Sequence, residues 1–217
     1  MTDALVSRRK GPENATSALI FLHGYGADGA DLLGLAEPLS QVMPETAFYA
    51  PDAPEPCTVN PAGRQWFPIP WIDGSDEAGV GRSLAASSDR LDAFLDEVLS
   101  QEGLTPDRLV LLGFSQGTMM SLHVAPRRAE PVAAIVGFSG RLLVPGALAG
   151  ETVARSPVML LHGDADDVVP FASMAEADAA LRDADFAVTC HVMHGIAHGI
   201  SPDGLQAAVG FILPRLG

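Results

Sequence analysis

Short uninterrupted apolar runs alternate along the chain with longer stretches whose apolar residues recur every three or four positions. Residues 17–22 (SALIFL), 47–50, 109–114 (LVLLGF), 132–138, 158–161 and 186–193 are of the first kind and predict strands. Residues 31–43 predict a helix, with Leu32, Leu33, Leu35 and Leu39 near one face. Residues 84–99, with large apolar side chains at 84, 91, 94, 95, 98 and 99, predict another. Further helices are expected over 116–124, ending before Pro126, over 171–181, and over 204–216 behind Ser201 as cap and Pro202 as first residue.

Strand and helix in alternation imply parallel pairing with crossover helices. The strands are continuously apolar rather than alternating, so both sheet faces should be covered. The expectation is one α/β domain over residues 1–217, a mostly parallel central sheet with helices on both faces. Function in such sheets collects on the loops beyond the carboxyl ends of the strands.

Composition narrows the function. The 217 residues carry 27 acidic and 13 basic side chains, a net charge of −14. That charge repels phosphate backbones and anionic membrane surfaces, so a nucleic-acid partner is not expected. No apolar run is long enough to span a membrane, and no apolar stretch follows the basic cluster in residues 1–10, so neither integral membrane association nor a signal peptide is expected. A cytoplasmic protein follows. The two cysteines, Cys57 and Cys190, have no metal or redox spacing, and Cys190, in an apolar run, reads as a buried reduced thiol.

Gly113-Phe114-Ser115-Gln116-Gly117 fits G-x-S-x-G. In a chain with 22 glycines the match alone is weak, and an ordinary Gly-rich turn is the alternative. Its position between a buried strand and a helix is where a nucleophile elbow belongs. Glycines relieve the crowding of that sharp turn, and the helix N-terminus favours developing negative charge.

A serine hydroxyl needs a base, and the base needs an orienting carboxylate. At such an elbow the partners follow in the order carboxylate, then histidine, each at a strand end. His162-Gly163-Asp164-Ala165-Asp166-Asp167 follows one strand, and His194-Gly195-Ile196-Ala197-His198 follows the next. Three aspartates compete for the carboxylate role. Of the six histidines, His23, His162 and His191 read as packed and hydrogen-bonded and His123 as structural or surface. His194 and His198 remain, and spacing does not separate them. The Gly-rich segment His23-Gly24-Tyr25-Gly26 after the first strong strand could supply an oxyanion-hole N–H, with that of Gln116 as its companion. It lacks the lysine and the glycine spacing of phosphate- and dinucleotide-binding loops.

The whole pattern resembles the phospholipase/carboxylesterase family of α/β-hydrolases, which includes acyl-protein thioesterases and bacterial carboxylesterases. The resemblance is carried by residues 22–29 (LHGYGADG), 51–54 (PDAP), 58–60 (TVN), 63–67 (GRQWF), 113–117 (GFSQG), Ser139-Gly140, 162–166 (HGDAD) and 195–198 (GIAH). It implies the three-layer α/β-hydrolase fold. It also implies that the acid is Asp166, the histidine His198, and the second oxyanion donor the backbone N–H of Tyr25. Where many relatives have W-F-D this chain has Trp66-Phe67-Pro68, inside a long loop over 54–81 that is expected to govern selectivity.

The expected chemistry is hydrolysis of small, short-chain carboxylic esters through an acyl-enzyme, with Ser115 as nucleophile, His198 as base and no metal or cofactor. A lysophospholipase or acyl-thioesterase would use the same groups, and a non-catalytic binding module on this fold is the alternative of another class. Trp66, Phe67 and Trp71 are candidates for lining an acyl pocket, with pinning the loop to the core as their alternative role. The Gln116 side chain is expected to pack on the elbow rather than meet substrate, and Met119 and Met120 to fill the core. A homodimer built on an exposed apolar patch is compatible with the sequence, which leaves oligomeric state open.

Overall fold

The computed structural model describes residues 4–217, and of Trp71 only the backbone. In chain order the elements are β1 (Ser7–Lys10), β2 (Ser17–Leu22), α1 (Gly29–Leu33), α2 (Ala36–Ser40), β3 (Thr46–Pro51), the short pair β4 (Glu55–Pro56) and β5 (Arg64–Gln65), α3 (Pro70–Asp73) and α4 (Glu77–Glu102). There follow β6 (Leu109–Phe114), α5 (Gln116–Val124), β7 (Ala134–Phe138), α6 (Pro145–Glu151), β8 (Val158–Gly163), α7 (Ala172–Asp183), β9 (Val188–Met193) and α8 (Pro202–Leu216). Seven strands form one sheet in the order β1-β3-β2-β6-β7-β8-β9. β1 runs antiparallel to β3, and every other pair is parallel. This is the α/β-hydrolase fold. The central strands are buried on both faces, which is why they read as unbroken apolar runs.

Two apolar layers sandwich the sheet. Ile20, Leu22 and Leu111 point to the side of α4, α5 and α7, where Leu91, Leu95, Met120 and Leu181 meet them. Leu19, Phe21, Val110 and Leu112 point the other way, toward Leu32, Leu39, Phe211 and Ile212 of α1, α2 and α8. Helix α4 starts where Asp76 caps the Gly79 N–H and stops at Gly103, whose φ of 66° turns the chain out of the helix. Ser201 caps α8 through the Gly204 N–H, as its place before Pro202 predicts.

Two expectations are corrected, and one strand is added. Residues 31–43 do not form one helix but split into α1 and α2 at Gly34-Leu35. Pro38 has no N–H for the Gly34 carbonyl, and its ring crowds that carbonyl. The basic segment Ser7–Lys10 is a strand, whose polarity hid it because it lies at the sheet edge. Arg8 meets Asp52 at 2.6 Å and Arg9 meets Glu102 at 2.8 Å. Cys190 is exposed and Cys57 is the buried thiol, because β9 is the opposite edge and covers only part of its length.

Candidate active site

Ser115 alone makes the turn from β6 into α5. Its backbone lies at φ 54°, ψ −114°, a conformation costing a non-glycine residue about 1–3 kcal/mol. The flanking glycines are a steric requirement. A Cβ at Gly117 would run into the Leu22 carbonyl of β2, and one at Gly113 into the backbone of Gly117. The turn is tied to the neighbouring strand by the Ser115 N–H, which donates to the Phe138 carbonyl at 2.9 Å. Thr118 Oγ1 lies 2.8 Å from both the Gly113 and Phe138 carbonyls.

Asp166 stands in the loop after β8. Its Oδ1 accepts the backbone N–H groups of Val168 and Val169, each at 2.9 Å. Its Oδ2 lies 2.8 Å from His198 Nδ1 and 3.2 Å from His162 Nε2. Burial pushes the carboxyl pKa up, but hydrogen bonds from His198, Val169 and Val168 outweigh it and hold the group below its ordinary value. An ionised carboxylate only accepts, so the His198 proton sits on Nδ1 and leaves Nε2 with a lone pair. His162 Nε2 donates to the Val169 carbonyl at 2.9 Å and so braces the loop that carries Asp166.

Ser115 and His198 line one cavity of about 210 Å³, along with Tyr25, Gln116, Ile69 and Ile72. The His198 ring packs on Phe114 with centroids 4.8 Å apart. A second histidine–aspartate pair has the same chemistry but not the same place. His194 Nδ1 meets Asp164 Oδ2 at 2.8 Å, yet the His194 side chain is 84% exposed and off the cavity wall. Asp167 is exposed, and His191 pairs with Asp203.

The loop after β2 is held from several directions. The Ala53 N–H donates to His23 Nε2 at 3.0 Å, which leaves Nδ1 to donate to the Gly24 carbonyl at 2.8 Å. Burial depresses the His23 pKa and keeps this imidazole neutral. Asp52 accepts the Gly29 N–H at 2.9 Å, and Asn60 Nδ2 donates to the Gly26 carbonyl at 2.8 Å. Among the described residues, the N–H groups of Tyr25 and Gln116 donate to no protein acceptor, and both residues line the cavity. The Tyr25 hydroxyl donates to Asp73 Oδ2 at 3.2 Å, and that carboxylate also accepts the N–H groups of Ile69 and Ser75. Asp73 thereby fastens α3, and the isoleucines beside it, to the loop.

A family model described as Phospholipase/Carboxylesterase matches residues 3–214. The chain belongs to the phospholipase/carboxylesterase family. Acyl-protein thioesterase 1 of Saccharomyces cerevisiae is 30% identical over 224 residues, covering 93% of this chain and 94% of that protein. Esterase YpfH of Escherichia coli is 26% identical, covering 90% and 81%. Among solved structures, esterase PE8 superposes with a TM-score of 0.92 at 37% identity over 98% of this chain and all of that one. The phospholipase/carboxylesterase from Dyadobacter fermentans gives 0.78 at 26% identity, over 98% of each chain. The protein is accordingly an enzyme of the serine-hydrolase type, an esterase or thioesterase.

Within this family member the aromatic expectations divide. Trp66 is fully buried and Phe67 is 5% exposed, and neither lines the cavity. Trp66 Nε1 donates to the His23 carbonyl at 3.1 Å, which places the indole behind the Gly24-Tyr25 loop. The side chain of Trp71 lies outside the described residues. Ile69, Ile72, Met119, Val168 and Val169 supply apolar wall instead. Single aliphatic residues in a loop carry no periodicity, so no sequence signal marked Ile69, Ile72 or Val168. Met119 sits in the core and on the wall at once.

The Gln116 side chain is a clamp. Its Oε1 accepts the Trp66 N–H at 2.8 Å and its Nε2 donates to the Phe67 carbonyl at 2.7 Å. Gln116→Ala strands both buried backbone groups and should cost about 2–4 kcal/mol. Chemical denaturation measures it. A loss under 0.5 kcal/mol would mean that the 54–81 segment is held without the clamp.

Proposed function

We propose that the protein is a serine carboxylesterase that hydrolyses short-chain carboxylic esters through an acyl-enzyme. Ser115 attacks the ester carbonyl and His198 Nε2 takes its proton. Asp166 holds the imidazole tautomer and stabilises the imidazolium. The N–H groups of Tyr25 and Gln116 bind the oxyanion, each worth about 3–4 kcal/mol in the transition state. His198 then protonates the leaving alcohol, and water repeats the sequence on the acyl-serine. The observation that carries this reading is the Asp166–His198 hydrogen bond of 2.8 Å at the cavity that also holds Ser115.

The cavity favours small acyl groups. Its volume of about 210 Å³ falls below the roughly 300–1,000 Å³ typical of drug-sized ligand sites. Thioester cleavage is the second reading, supported by the kinship to acyl-protein thioesterase 1 and needing no different group. A fluorophosphonate should label Ser115 stoichiometrically, read by the mass of the peptide that carries it. Absence of labelling on folded protein would overturn the assignment. Turnover of p-nitrophenyl esters should fall beyond short acyl chains. A preference for long acyl chains, or for acyl-CoA or lysophosphatidylcholine over these esters, would favour the thioesterase or lysophospholipase alternative.

A further inference from the structure

A second, shallow cavity of about 230 Å³, open to solvent, adjoins the first, and Phe114 and Asp31 belong to both walls. Leu32, Leu35 and Ile200 complete it. Among the described residues, Asp31 is the sole carboxylate on either wall, and no lysine or arginine lines them. Asp31 is exposed, in the first turn of α1. The nearby Arg8 is engaged elsewhere, 2.6 Å from Asp52 and 3.9 Å from Asp28.

Proton transfer decides which half of an ester lies toward the second cavity, where Asp31 is the charged group. The leaving oxygen or sulfur must take its proton from His198, so it departs on the imidazole side of Ser115. Phe114 packs on that imidazole, and Ile200 follows it by two residues. Both also wall the second cavity. The acyl group is left the lobe bounded by Ile69, Ile72, Met119 and Val169.

We propose that the second cavity receives the leaving group and that Asp31 selects esters and thioesters whose alcohol or thiol half is neutral or cationic over those whose half is anionic. This rests on the acyl-enzyme reading above. An unpaired carboxylate in an apolar-walled groove attracts a cation and repels an anion at short range. The net charge of −14 acts with the same sign, but salt screens distant charges within about 8 Å at physiological ionic strength. Thiols carrying phosphate or carboxylate groups are the class this site disfavours.

The test uses butyryl thioesters of thiocholine and of 3-mercaptopropanoate, with p-nitrophenyl butyrate as the neutral reference, at about 0.15 M salt. Comparing each substrate between wild type and variant cancels the intrinsic reactivity of its leaving group. Asp31→Asn should lower the cationic-to-anionic ratio of kcat/KM about tenfold, and Asp31→Lys should lower it further. Glu13→Gln, which also removes one exposed negative charge but from neither cavity wall, should leave the ratio unchanged. An unchanged ratio in both Asp31 variants, or an equal change in Glu13→Gln, overturns the proposal. If Ser115→Ala hydrolyses the neutral ester as fast as wild type, the acyl-enzyme reading itself fails instead.

Discussion

Ser115→Ala is expected to lower kcat on a neutral short-chain ester by about 10⁶, because a nucleophile and its base act as a unit. What remains is the roughly 10³–10⁴-fold advantage over water supplied by binding and the oxyanion donors. The substitution is structurally clean. The Ser115 hydroxyl makes no capping bond to α5, and the residue is only 8% exposed. Alanine at φ 54° carries the same strain as serine, so the melting temperature should stay close to that of wild type. Ser115→Gly should be equally inactive but more stable than the alanine variant by about 1 kcal/mol, since glycine adopts that conformation without penalty. Near-normal turnover by Ser115→Ala, purified from a host lacking its own esterase, would show that another group is the nucleophile.

Asp166→Asn is expected to cost about 10⁴ in kcat while leaving the fold intact. The neighbours of the carboxylate dictate how asparagine must sit. Oδ1 faces two backbone donors, Val168 and Val169, so the amide oxygen takes that place and the NH₂ turns toward His198. Nδ1 of His198 must then accept, its proton moves to Nε2, and the imidazole can no longer take the Ser115 proton. Substrate affinity should change little, because the carboxylate does not line the cavity. Circular dichroism and kcat measured on the same preparation test this, and activity within tenfold of wild type would contradict the role given to Asp166.

The parts of the site written in short segments were legible early. Gly113, Ser115 and Gly117 lie within one turn, and their steric necessity is local. The resemblance to the family singled out Asp166 and His198, which the structure pairs at 2.8 Å. The segment PDAP at 51–54 shows its role only in the folded chain. Its Asp52 holds the Gly29 N–H and its Ala53 fixes the His23 tautomer, so it acts as a brace for the Tyr25 loop. That job needs β3 beside β2, a pairing that no single segment encodes. The aromatic residues Trp66 and Phe67 carried two roles, pocket wall or core, for a related reason. Composition says that Trp66 wants burial, but whether in a pocket wall or in the core depends on what covers it.

The sequence by itself determined the alternation of elements, the buried parallel strands, the strand-end positions of the reactive groups and the family. These follow from periodicity and local sterics, which act over a few residues. Spacing left two chemically equivalent histidine–aspartate pairs, between which the family resemblance chose. The tertiary structure brings His198 of the chosen pair to the cavity of Ser115, and it alone decided which aliphatic residues wall that cavity and that Asp31 is its one carboxylate among the described residues. Those outcomes depend on segments far apart in the chain, 32 residues between Asp166 and His198 and 50 between Gln116 and Trp66. Their meeting is set by how the sheet and its layers pack.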